Sequence, residues 1–87
     1  MQSITFKNPT KITVGVIRTI CDFANRNEIQ CYVRKNNEEA LYKMNSIISL
    51  LFANLKKGQT LHLCCFNDSL ETAAKLALLK TEIETLR

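Results

Sequence analysis

The sequence has few of the residues that interrupt helices and strands, and it has none of the long apolar runs that anchor a protein in a membrane. Two glycines and one proline occur among 87 residues, so little of the chain is predicted to be loop. No apolar run approaches the roughly 20 residues of a membrane span. The N-terminal MQSITFKN lacks the basic region followed by an apolar one that a secretory signal needs. These absences predict a cytoplasmic protein without membrane insertion.

Residues that carry chemistry are also sparse. His62 is the single histidine, and none of the four cysteines (Cys21, Cys31, Cys64 and Cys65) belongs to a C-x-x-C pair. Without a secretory signal, the thiols are expected to be reduced and to fill small gaps in the core. His62 is expected to face solvent with no catalytic role. Neither a metal site nor a bound cofactor is predicted.

The positive charge is modest and scattered. Lys and Arg number 12 against 8 Asp and Glu, for a net charge of +4, and adjacent basic residues occur only at 34–35 and 56–57. The aromatic residues fall mostly at apolar positions of the pattern, not among the basic residues as in the stacking platforms of nucleic-acid binders. The charge therefore favours attraction to an acidic protein surface, with no nucleic-acid partner expected.

Apolar periodicity predicts a single domain over residues 1–87 with the element order β-α-β-β-α-β-α. The predicted strands cover 2–7, 28–34, 38–43 and 60–66. The predicted helices cover about 16–25, 47–55 with Ser46 as N-cap and Gly58 as stop, and a last helix from the capping box at 68–71 to about 85. The inward-facing residues are predicted to be Ile17, Ile20, Cys21, Ala24, Ile29, Cys31, Val33, Leu61, Leu63 and Cys65. This order predicts an α+β open-faced sandwich, in which three helices cover one face of a four-stranded antiparallel sheet.

The second helix has more apolar residues than one buried face can use. If its core face is formed by Ile47, Leu50 and Leu55, the remaining residues spill onto the surface at i, i+3, i+4 spacing: Ile48, Leu51 and Phe52. A wider core stripe that buries Leu51 is an equal alternative, whereas Ile48 and Phe52 are expected to be exposed.

With this order of elements, the sequence resembles HPr, the histidine-containing phosphocarrier of the bacterial sugar phosphotransferase system. The resemblance covers nearly the whole chain. It rests on length, on NPT at 8–10, and on NSIISLLFANLKKG at 45–58, which is similar to the family's S-I-M-G-x-M-S-L-x-x-x-K-G. Within that segment the matching positions are Ser46, Ile47, Lys57 and Gly58.

The resemblance also shows a departure at the family's active-site motif, G-L-H-A-R-P. The corresponding stretch is KITVGV at 11–16, which places Thr13 at the position of the histidine and Gly15 at that of the arginine. Imidazole accepts and releases a phosphoryl group near neutral pH, whereas a threonine hydroxyl without an adjacent base is a poor nucleophile. The resemblance therefore implies an HPr-like protein that is not an enzyme and lacks phosphohistidine chemistry.

The resemblance implies two further features. In HPr of many low-GC Gram-positive bacteria the serine matching Ser46 is phosphorylated by a kinase; a simple helix cap is the alternative here. The family docks its partners on the helix surface that corresponds to Ile47, Ile48, Leu51 and Phe52. These features predict a regulatory or adaptor module for proteins that recognise HPr-like surfaces. A phosphocarrier role through another residue, or an unrelated binding domain that shares only the fold, is the alternative.

Overall fold

Residues 1–86, which this computed structural model describes, form elements in the predicted order. The elements are β1 (Gln2–Lys7), α1 (Val14–Arg26), β2 (Tyr32–Lys35), β3 (Tyr42–Lys43), α2 (Ile47–Ala53), β4 (Thr60–Cys65) and α3 (Leu70–Thr85). The strands form one antiparallel sheet in the order β1-β4-β2-β3. The helices pack on this sheet, which confirms the predicted α+β open-faced sandwich.

The core lies between the sheet and the helices. Alternate strand residues point into it because successive side chains of a strand face opposite sides of the sheet. The predicted stripe of α1 is buried, with Ile17, Ile20, Cys21 and Ala24 all inside. Among the described residues, every helix is too short or too polar to traverse a bilayer.

The first residues of the predicted strand at 28–34 are not a strand, because they form the turn that ends α1. The N–H of Glu28 donates to the carbonyl of Asn25 at 3.3 Å, and the N–H of Ile29 donates to that of Ala24 at 2.8 Å. Glu28 has a φ of 53°. This is the arrangement of a Schellman motif, in which the left-handed residue is usually glycine. The predicted start of the strand was wrong because the turn has a glutamate where a glycine would have indicated a helix end. Strand β2 begins only at Tyr32.

The predicted strand at 38–43 is reduced to β3, a pair of residues at the sheet edge. The N–H of Glu38 donates to the carbonyl of Lys35 at 3.1 Å, and the Glu38 carbonyl accepts from Nη1 of Arg34 at 3.0 Å. These bonds fold Glu38 into a turn. The Glu-Glu-Ala sequence has weak strand propensity, so nothing draws it back to the sheet.

The ends of the three helices differ from the predicted ends because of the residues that cap them. Helix α1 begins at Val14 rather than about Val16. Helix α2 ends at Ala53, because Asn54 is its left-handed C-cap at φ 51° and ψ 53°. Gly58 is not that cap and lies in the turn before β4. Helix α3 is capped by Ser69, whose hydroxyl accepts from the N–H of Thr72 at 3.1 Å, so the predicted capping box at 68–71 was wrong by one residue.

The two adjacent cysteines of β4 depart from the simple inward pattern. Leu61 and Leu63 are buried as predicted, whereas Cys65 is only partly buried at the margin of the core. Cys64 is buried although it lies on the face of β4 that points away from the core residues Leu61 and Leu63. It pairs with Ser3 and Tyr32 on the two flanking strands, so it occupies the middle of the sheet.

Candidate functional site

Thr13, which the resemblance to HPr aligns with that family's histidine, is the N-cap of α1. Its backbone is extended, at φ −101° and ψ 169°, and its hydroxyl accepts a hydrogen bond from the N–H of Val16 at 3.2 Å. The side chain is exposed, but its oxygen is occupied by the helix terminus. No Asp, Glu or His occurs between Met1 and Cys21, so this stretch offers no general base for the hydroxyl.

Gly15, which the resemblance to HPr aligns with that family's arginine, lies in the first turn of α1. A Cβ built there would meet only the Thr13 hydroxyl at 3.8 Å, an ordinary van der Waals distance. Its φ is not in the left-handed region. The backbone therefore accepts a larger side chain, and neither sterics nor strain accounts for a glycine at this position.

Ser46 is the N-cap of α2. Its backbone is extended, and its hydroxyl accepts from the N–H of Ser49 at 3.3 Å. The residue is half-buried. This geometry fits the cap interpretation, while phosphorylation of Ser46 stays a prediction.

The outer face of α2 is an apolar surface. Ile47, Ile48, Leu51 and Phe52 are 39%, 67%, 50% and 78% exposed. We call these four residues the α2 patch. The alternative in which Leu51 is buried was wrong, and so was the placement of Ile47 in the core. The buried side of α2 is narrower than predicted because it is formed by Leu50 and Ala53.

Basic residues surround the α2 patch in the chain. No Asp or Glu occurs between Glu39 and Asp68, and the segment between them carries the exposed Lys43, Lys56 and Lys57. An apolar surface on a segment of one charge sign is suited to a partner whose apolar groove has an acidic rim.

The loops before α1 and after α2 are joined through Asn8, a connection the sequence analysis did not predict. The buried Asn8 side chain donates to the carbonyl of Lys56 at 3.0 Å, and the main-chain carbonyl of Asn8 accepts from the N–H of Gly58 at 2.8 Å. The proline that follows Asn8 was the only local signal of a fixed loop. This connection ties the start of the α1 segment to the end of α2.

His62 lies away from these residues, on β4. Its ring nitrogens contact Thr5 Oγ1 at 2.9 Å and Asn36 Oδ1 at 3.2 Å. Thr5 is its partner on β1 in the sheet register. His62 is therefore held on the side of the sheet opposite the core, and nothing in its contacts relates it to Thr13.

Known structures share this fold. HPr-C-His from Thermoanaerobacter tengcongensis matches with a TM-score of 0.70 at 18% identity, over 100% of this chain and 99% of that chain. The histidine-containing phosphocarrier protein of a mycoplasma matches with a TM-score of 0.68 at 12% identity, over 95% of this chain and 96% of that chain. No protein-family model and no curated protein matches the sequence. The fold is HPr-like, while identities this low leave chemistry and partners to be argued from the residues.

Proposed function

We propose that this protein is a non-catalytic HPr-like module that acts in the cytoplasm as a regulator or adaptor. It binds, through the α2 patch, proteins that recognise HPr-like surfaces in the sugar phosphotransferase system. The exposure of Ile48 and Phe52 is the observation that carries the proposal. Large apolar groups clustered on one exposed helix face are typical of protein–protein contacts.

The chemistry at Thr13 supports binding rather than phosphoryl transfer. A carrier must accept a phosphoryl group and give it up again, which imidazole does and an unactivated hydroxyl does not. Thr13 has its oxygen in a helix cap, and Gly15 supplies no cation for a phosphate. The adaptor role needs neither group.

The positive charge of the chain segment that carries the α2 patch supports an acidic partner. Lys43, Lys56 and Lys57 would steer such a surface toward α2, since complementary charges at a rim mainly accelerate association. The apolar anchors would supply most of the affinity, as buried anchors do at interfaces generally. Binding should therefore weaken moderately with salt and strongly with loss of the anchors.

The test is the double variant Ile48→Gln with Phe52→Gln. Glutamine is a good helix former, so α2 should persist. The matched control is Leu70→Gln, which removes an apolar side chain that is 89% exposed at the start of α3. Titration with the first enzyme of the phosphotransferase system, and quantitative pull-down from the native cytosol, would measure binding.

The double variant should lose at least about 30-fold in affinity, because even one anchor near an interface centre often contributes about 2 kcal/mol or more. The Leu70 control should bind as the wild type does. The melting temperature should change little in both variants, since surface substitutions shift stability by about 0.5 kcal/mol or less. If the double variant binds the first enzyme as tightly as the wild type does and pulls down the same proteins, the α2 patch is not the docking surface.

A further inference from the structure

Cys31 directly precedes β2, and Cys65 is the last residue of the neighbouring strand β4. In the antiparallel pairing of β2 with β4, Tyr32 lies opposite Cys64 and Val33 lies opposite Leu63. The same register, extended by one residue, places Cys31 opposite Cys65. The two cysteines are distant in sequence, so their spacing gave no signal of this pairing.

The hydrogen-bond phase of the ladder puts this pair at a close position. The N–H of Asn36 donates to the carbonyl of Thr60 at 3.1 Å, and hydrogen-bonded and non-hydrogen-bonded pairs alternate along antiparallel strands. Tyr32 with Cys64 is therefore a hydrogen-bonded pair, and Cys31 with Cys65 falls at a non-hydrogen-bonded position. Such positions have Cα atoms about 4.5 Å apart, within the range of roughly 4.4–6.8 Å that a disulfide spans.

Both thiols also line one cleft. This cleft of about 340 Å³ lies among the end of α1, the facing ends of β2 and β4, and the start of α3, and its size is that of small-molecule sites. Cys65 is partly exposed there, and Cys31 is buried behind it. The Cys65 thiol donates to the carbonyl of Gln30 at 3.3 Å, which turns its sulfur toward β2.

We propose that Cys31 and Cys65 form a redox-active dithiol that is oxidised by small-molecule disulfides entering this cleft. The Cys65 thiolate attacks one sulfur of the disulfide RSSR, forming a Cys65–S–S–R bond and releasing RSH after proton uptake. The Cys31 sulfur then loses its proton, attacks the Cys65 sulfur and releases the second RSH. In sum, two protein thiols are oxidised to one disulfide, and RSSR is reduced to two RSH.

The order of the two steps follows from exposure. Cys65 is reachable from the cleft. The pKa of Cys31, in contrast, is raised to about 12, mainly by burial and to a smaller extent by charge on the Cys65 and Cys64 sulfurs. A thiol so rarely ionised near neutral pH is a slow nucleophile. The mixed disulfide therefore forms on Cys65 rather than on Cys31.

The disulfide would join the two ends of the segment 31–65, which contains β3 and α2. Cross-linking a segment restricts the unfolded chain and stabilises the fold. This site is independent of the proposed docking role, because the cleft involves none of the α2 patch residues.

Cys64 is an alternative disulfide partner for Cys65. The experiment distinguishes a Cys31–Cys65 disulfide from a Cys64–Cys65 disulfide. The folded full-length protein is incubated with oxidised glutathione, quenched in acid and analysed by mass spectrometry with tryptic mapping. Cys64 and Cys65 fall in one tryptic peptide, residues 58–75, and Cys31 falls in another, residues 27–34. The variants are Cys31→Ala, Cys65→Ser, and the controls Cys64→Ser and Cys21→Ser, each confirmed as folded by its thermal melt.

The wild type and both controls should first gain one glutathionyl group and then lose it, ending two hydrogen atoms lighter with the two peptides linked. The Cys31 variant should stop at the glutathionyl adduct, and the Cys65 variant should form no linked product. The oxidised wild type should also melt at a higher temperature than the reduced protein. An unreactive wild type, an adduct that never resolves, or a disulfide lost in the Cys64 variant would each overturn the proposal.

Discussion

Cys31 shows how burial sets the chemistry of a single side chain. The residue is 3% exposed, and desolvation is the largest cause that raises the pKa of its thiol from 9.0 to about 12. In the unfolded chain the thiol ionises near its ordinary value. Between about pH 9 and pH 12, the unfolded state therefore releases a proton that the folded state keeps, and alkaline conditions favour unfolding.

The first prediction follows from this difference. The free energy of unfolding should be unaffected by Cys31 below about pH 9 and should then fall by up to about 1.4 kcal/mol per pH unit as pH rises toward 12. Cys31→Ala removes the titrating group, so its stability should fall less steeply over the same window. Urea unfolding curves collected across that window would measure both slopes. Equal slopes in the two proteins would contradict the assignment.

At the scale of elements, strong periodicity predicted which segments are helices and strands, and backbone caps decided where they end. The buried stripe of α1 could be predicted because it repeats at helical spacing over three turns, and the surplus apolar face of α2 because nearly every residue of that short helix is apolar. The ends were missed where Glu28 and Asn54 adopt left-handed conformations, with φ values of 53° and 51°. Such conformations are imposed by the cap hydrogen bonds and the following chain, which the side chain alone does not reveal.

Glu28 provides the element-scale prediction. A non-glycine residue in the left-handed region costs roughly 1 kcal/mol, so Glu28→Gly should stabilise the protein by about that amount, or about 4–8 °C in melting temperature for a domain of this size. The cap hydrogen bonds are backbone bonds and persist in the variant. Glu38→Gly is the matched control, since Glu38 has no positive φ and its replacement should bring no gain. Thermal melts of both variants decide the matter, and equal shifts would argue against a strained cap.

At the scale of the molecule, the α2 patch was predictable and the dithiol was not, for a physical reason. The patch is a local feature, because one helix brings Ile48 and Phe52 together at i, i+4 spacing. The pairing of Cys31 with Cys65 depends on strand order and on register between β2 and β4. Register is set jointly by the core faces of two strands and by the elements between them, so a single strand sequence does not fix it.

If the protein is an HPr-like module without a phosphate-accepting histidine, as proposed, adding the HPr histidine and arginine should allow its fold and helix surfaces to receive a phosphoryl group. The double variant Thr13→His with Gly15→Arg should be tolerated, since position 15 has open space and ordinary backbone geometry. Incubation with phosphoenolpyruvate and the first enzyme of the phosphotransferase system should then yield an acid-labile phosphoprotein, because imidazole supplies the nucleophile that threonine lacks.

The wild type and the Gly15→Arg single variant are the controls, and both should take up no phosphate. Phosphorylation of the wild type would end the non-catalytic interpretation. A double variant that melts cooperatively, with no more than the loss of about 1 kcal/mol expected for removing the Thr13 cap, yet stays unphosphorylated would place the divergence in the docking surface, because fold and nucleophile would both be present. In that outcome the α2 patch would serve partners other than the first enzyme, and the pull-down with the Ile48 and Phe52 variant would identify which proteins depend on it.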